Sequence, residues 1–160
     1  MADIRQPEKS MNTVYFKNLQ RQHRLSTKVF RRLLLHAMRR LDVSGSLLTV
    51  VYCRAARIRE LNRLYRNLDQ PTDVLSFPTA DPGEDGRIYL GDIFIAPEVA
   101  AEHARADGVA LEDELAVLHL HGLLHLLGHD HETDAGRMLA LQAALVRELK
   151  PRGPGPLTAG

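Results

Sequence analysis

Apolar residues recur along this chain with two spacings. In TVYFKN, Thr13 to Asn18, they alternate with polar ones, as in a short strand. After Ser26, whose hydroxyl suits a helix N-cap, Val29, Phe30, Leu33, Leu34, Ala37, Met38 and Leu41 follow the i, i+3, i+4 spacing of one helical face. Arg31, Arg32, Arg39 and Arg40 fall largely on the other side. SGSLLTVVYC then reads as a buried strand introduced by a turn, and RAARIRELNRLYRN resumes helical spacing with Ile58, Leu61, Leu64 and Tyr65 as its inward set.

Pro71 marks a turn before a third strand, TDVLSFPT from Thr72 to Thr79, which Pro78 and the loop ADPGEDGR are expected to close. YLGDIFIAP supplies a fourth strand, with Pro97 suited to the first turn of another helix. From Leu111 the chain reads LEDELAVLHLHGLLHLLG, a helix with acids in its first turn and Gly128 at its end. A last helix is expected from about Thr133 to Leu149, with Leu139, Ala143 and Val146 facing inward. This alternation predicts an α+β domain: a small mixed sheet of about four strands packed with helices, the histidine-bearing helix in the core. Residues 1–150 are expected to form one domain and the Pro/Gly-rich stretch 151–160 a disordered tail.

Composition narrows the class. A chain of 160 residues with 44% hydrophobic content suits one compact domain, burying about 70% of the surface its unfolded form exposes. Cys53 is the only cysteine, so no intramolecular disulfide forms, and a reducing, cytosol-like compartment fits. The N-terminal MADIRQPEKSMN has acids and no apolar segment, which argues against a secretory or transit peptide. No apolar run approaches the ~20 residues needed to span a bilayer, so no membrane partner is expected.

The net charge of +1 conceals an asymmetry. Residues 1–66 hold 15 Lys or Arg against 4 Asp or Glu, whereas residues 67–160 hold 6 against 16. Either the halves neutralise each other as solvated faces, or the first half contributes a basic surface suited to a polyanion such as RNA.

Five of the eight histidines lie within HLHGLLHLLGHDH, residues 119–131. His121 and His125, four apart on a helix, fall on nearly the same face about one turn, or ~6 Å, apart. Gly128 lets the chain turn and return a later ligand, and the spacing H-x-x-x-H-x-x-G-x-x-H selects His131. Three imidazoles leave a tetrahedral zinc one open position, the arrangement of a catalytic site. His119 is excluded, because two helical residues place it about 160° from the ligand face. His129 is open between a supporting and a surface role, and nothing functional follows for His23, His36 or His103. A peptidase of the H-E-x-x-H type has its general base where this chain has Gly122. Zinc lowers the pKa of bound water to about 7, so water activation does not require that base.

HGLLHLLGHDH, LNRLYRNLDQPTDVLSFP and LGDIFIAP together resemble the YbeY family of rRNA maturation factors, over roughly Val14 to Leu149. The resemblance implies one Zn²⁺ per chain on His121, His125 and His131, and a functional arginine at Arg66. It implies a single-strand-specific endoribonuclease acting in ribosomal RNA processing, 16S rRNA 3′ end maturation and ribosome quality control. The implied partners are single-stranded RNA and the small ribosomal subunit with its proteins; the implied compartment is the bacterial cytoplasm, or an organelle in a eukaryote. His129 departs from the family, which usually has tyrosine or phenylalanine there, and adds an alternative ligand.

By itself Arg66 reads as a solvated charge or a salt-bridge partner; in a zinc cleft its planar fork would suit a phosphate. Asp73, Ser76 and Asp92 read as turn caps or strand-end hydrogen-bonding groups. Two other functions fit the histidines: a metal-dependent peptidase or amidase, disfavoured by Gly122, and a non-catalytic ribosome assembly factor with structural zinc.

Overall fold

The computed structural model describes residues 11–83, 85–130, 132–134 and 136–149. Among them the chain forms four strands and five helices, as an α+β domain was expected to. In order these are β1 (Thr13–Asn18), α1 (Thr27–Arg40), β2 (Ser46–Tyr52), α2 (Ala55–Arg66), β3 (Val74–Pro82), β4 (Ile88–Ile95), α3 (Pro97–Asp107), α4 (Leu111–Leu126) and α5 (Arg137–Leu149). The sheet order is β1-β2-β4-β3, with β1, β2 and β4 parallel and β3 antiparallel to β4 at the edge. The predicted tail, residues 151–160, lies outside the described residues.

Local chemistry accounts for the element boundaries. Ser26 caps α1, its Oγ accepting from Val29 N at 3.4 Å, and Pro97 begins α3 where its missing N–H costs no helical bond. The N-terminus of α2 has no cap from its own side chains, but the Glu98 carboxylate accepts from Ala55 N. Pro78 does not end β3, contrary to expectation; the strand continues to Pro82 through an irregularity between Pro78 and Asp81. An edge strand tolerates a proline because one side of it has no ladder to complete.

The core is built around β2 and α4. Leu48, Val50 and Tyr52 of β2 join Phe30, Leu33, Leu34, Ala37 and Met38 of α1 and Leu115, Leu118, Leu120, Leu123, Leu124 and Leu126 of α4 in the main cluster. Leu120, Leu123 and Leu124 are wholly buried, each contributing about 1.5–3 kcal/mol by leaving water. A smaller cluster joins Cys53, Ile58 and Leu61 to Leu75, Ala96 and Val99.

Three predicted inward faces are corrected. Val29 is partly exposed at the edge of the α1 stripe. On α2 the buried positions are Ile58, Leu61 and Asn62, while Leu64 is 55% and Tyr65 68% exposed. The small cluster under α2 ends before its last turn, so Leu64 and Tyr65 project past it. Helix α5 begins at Arg137, later than expected, and buries Met138 and Leu145, leaving Leu139 and Ala143 exposed.

Candidate metal centre and its cleft

Helix α4 packs on β3, β4 and three helices, so its buried side is extensive. Gly122 lies on that side: a Cβ there would stand 2.5 Å from Ile93 Cγ2 of β4. Contact of this kind requires glycine for close approach of helix and sheet, so the position that holds glutamate in H-E-x-x-H peptidases faces the sheet here. The Gly122 carbonyl accepts from Ser76 Oγ of β3 at 3.1 Å. Ser76 thus ties strand to helix beside the histidines, a role beyond a strand-end bond.

His121 and His125 emerge on the open side of α4. Their Nε2 atoms are 3.0 Å apart, with the rings edge to face at a centroid separation of 4.6 Å. Nitrogens at about 2.0–2.1 Å from a tetrahedral zinc lie roughly 3.3 Å from each other. The observed pair therefore fits one cation with a shift of a few tenths of an ångström. Behind His121, Gln142 Oε1 of α5 stands 2.7 Å from Nδ1. An amide oxygen only accepts, so Nδ1 carries the hydrogen and Nε2 keeps a lone pair on the open side. Nothing in the sequence pattern singled out Gln142, which lies 21 residues away. His131, the third expected ligand, lies outside the described residues.

The remaining histidines separate clearly. His119 is wholly buried, stacked on Phe30 at 4.2 Å between centroids, with Nδ1 2.6 Å from Leu115 O and Nε2 2.7 Å from the Tyr52 hydroxyl. Its Nδ1–H donates to the carbonyl and its Nε2 accepts from Tyr52, an arrangement that needs the neutral ring. Burial pushes its pKa down to about 4 and the Tyr52 hydroxyl well up. This is a core histidine, as its helical angle predicted. His129 follows the C-terminus of α4, its backbone N–H donating to Leu124 O, with Gly128 at φ +94° making the turn.

His121, His125 and His129 border one open cleft of about 590 Å³. It is lined by His121, His125, Gly128, His129, Asp130 and Glu132 on one side, β3 from Val74 to Pro78 on another, and Tyr65 and Arg66 at the end of α2. The structure thus brings Arg66 to the histidine cleft from 55 residues upstream of His121. Beside it the exposed Tyr65 ring rests edge to face on Phe77 at 5.1 Å, and Phe77 on Phe94 at 5.5 Å.

A family model described as Endoribonuclease YbeY matches residues 13–150. The chain belongs to the YbeY family. Curated members carrying that description include those of Sulfurovum sp. (47% identical over 57% of this chain and 64% of the relative) and Koribacter versatilis (46% over 63% of each). The member from Micrococcus luteus is 41% identical over 83% of this chain and 84% of its own length. The matches to the first two thus span a little under two thirds of those proteins. The solution structure of TM1509 from Thermotoga maritima is similar at a TM-score of 0.59 and 28% identity, covering 85% of this chain and 88% of that one. The resemblance read from the three motifs is therefore a family relationship, and the α+β architecture goes with it.

One constellation escaped the sequence reading. Asp73, His103 and Glu114 each offer a ligand atom, and these atoms lie within 4.8 Å of one another. In sequence no function follows for His103 and Asp73 reads as a turn cap or strand-end hydrogen-bonding group, because the three meet through the packing of α3 and α4 against the start of β3.

Proposed function

We propose that the chain is a zinc-dependent endoribonuclease that cuts single-stranded RNA in ribosomal RNA processing, in 16S rRNA 3′ end maturation and ribosome quality control. Its partners would be rRNA and the small ribosomal subunit with its proteins, its compartment the bacterial cytoplasm or an organelle, and residues 1–150 its catalytic domain. The observation that carries the reading is the pair of Nε2 atoms, His121 and His125, 3.0 Å apart in a cleft that Arg66 also lines. Family membership supports the choice of RNA, since the curated relatives are described as endoribonucleases.

In this mechanism His121, His125 and His131 would hold one Zn²⁺. The ion would supply Lewis acidity toward a phosphodiester oxygen or the attacking oxygen. Gln142 keeps the His121 ring in the tautomer that presents Nε2 to the cleft. Arg66 binds the scissile phosphate through its planar fork and stabilises the charge that develops on it during cleavage. Tyr65, exposed and backed by Phe77, offers a face on which an unpaired base can stack. A duplex holds its bases in its own stack, so this contact favours single strands.

A metal-dependent peptidase reading is weakened by the packing of Gly122 on Ile93, which leaves no room for a base at that position. Incubating purified protein with single-stranded RNA, duplex RNA and unstructured peptide, with and without a chelator, tests the reading. Chelator-sensitive cleavage of single-stranded RNA alone is expected; chelator-sensitive cleavage of peptide alone would overturn it.

A further inference from the structure

The residues at the far end of α4 from the histidine cleft converge on a point of their own. Asp73 immediately precedes β3, and its carbonyl accepts from Ala96 N at 2.9 Å, which fixes it at the junction of β4 and α3. His103 projects from α3 with Nδ1 3.0 Å from Asp73 Oδ2. Glu114 comes from the first turn of α4. We propose that Asp73, His103 and Glu114 form a second divalent-cation site, distinct from the histidine cleft, that takes a first-row ion such as Zn²⁺ or Mn²⁺.

The donor set argues for that class of ion. One imidazole with two carboxylates neutralises a divalent charge, and the imidazole nitrogen favours first-row metals over Mg²⁺ or Ca²⁺. Ligand atoms within 4.8 Å need to close to about 3.3 Å around an ion with ~2.0–2.1 Å bonds. His103 is half exposed and free to rotate by that amount, and the open side admits water to complete the coordination.

Electrostatics points the same way. The Glu114 carboxyl is pushed up by burial and then by the negative charges of Asp73 and Asp107, with His103 opposing them. The arrangement thus holds more negative charge than one imidazole balances, and a divalent cation relieves it.

The site joins the start of β3, which lines the cleft, with helices α3 and α4. Seven residues separate Glu114 from His121, about 10 Å along the helix axis, so the two sites do not share ligands. A cation at the first would steady the strand and helix that form the second.

The test uses full-length protein stripped of metal, with Zn²⁺ and Mn²⁺ alone as probes. Native mass spectrometry and calorimetric titration should show one fewer ion bound per chain in His103→Ala than in wild type. In a His121→Ala/His125→Ala protein one ion should still bind and raise Tm by about 5 °C or more at saturating metal. Adding His103→Ala to that protein should abolish both effects. His103 lies on the surface, and circular dichroism checks folding; His103→Gln, which preserves a hydrogen bond to Asp73, should also lose the ion. Equal stoichiometry in wild type, His103→Ala and His103→Gln would overturn the proposal, as would absence of both ions from the folded His121→Ala/His125→Ala protein.

Discussion

The Nε2 atoms of His121 and His125 stand 3.0 Å apart, and Gln142 engages the opposite edge of the His121 ring at 2.7 Å. The pairing of the histidines is local, set by one turn of α4. Their orientation is not local, because it depends on a side chain from α5.

Gln142→Leu should therefore weaken zinc binding about 10- to 100-fold, the usual effect of removing a group that orients a metal-ligating imidazole. Gln142→Glu retains an acceptor facing Nδ1 and should bind at least as well as wild type. Competition with a zinc chelator measures both, and equal affinity for Gln142→Leu and wild type would refute the orienting role.

Gly122→Ala should destabilise the fold by about 1–3 kcal/mol, because its methyl meets Ile93 and either the helix or the strand must shift. Urea unfolding of Gly122→Ala, Ile93→Ala and the double variant checks this. The double variant should be more stable than the sum of the single effects predicts, since removing the Ile93 branches makes room.

Tyr65→Ala should reduce binding of single-stranded RNA by about 1–3 kcal/mol with little change in Tm, given that the residue is 68% exposed. Tyr65→Phe should bind like wild type. Fluorescence anisotropy with a labelled oligonucleotide distinguishes these outcomes, and unchanged binding in Tyr65→Ala would remove the stacking role.

The neutral His119 ring makes stability depend on pH. Its folded pKa of about 4 lies below the unfolded value of 6.5, so the unfolded chain takes up a proton first as pH falls. The contribution is fully present above about pH 6.5 and is lost progressively toward pH 4; the difference corresponds to on the order of 3 kcal/mol. Unfolding of metal-free His119→Gln should show a shallower decline between these pH values than wild type. Parallel declines would mean that His119 does not carry the effect.

Sequence pattern alone located the four strands, the Ser26 cap, the Pro97 helix start, and the two histidines one turn apart, because each depends on neighbours within a few residues. The boundary of the small cluster under α2 is not legible in the sequence: the helical angle of Tyr65 fits the inward face, yet the residue is exposed. Whether a position on a helical stripe is covered depends on where the partner elements end. The convergence of Arg66 with His121, of Gln142 with His121, and of Asp73 with His103 and Glu114 spans long sequence separations. The order β1-β2-β4-β3, the placement of α4 across β3 and β4, and the packing of α3 and α5 on α4 bring those residues together. In sequence Gly122 marks a missing base; its packing on Ile93 gives the physical reason that no base fits there.

The central claim is most directly tested by cleavage of single-stranded RNA by highly purified wild type, His125→Ala and Arg66→Ala, with zinc measured in each sample. Wild type should contain zinc and cleave; His125→Ala should lose the zinc of the histidine cleft together with cleavage; Arg66→Ala should retain the zinc of the histidine cleft while cleavage falls by about 100-fold or more. Cleavage that persists undiminished in both variants would contradict the account.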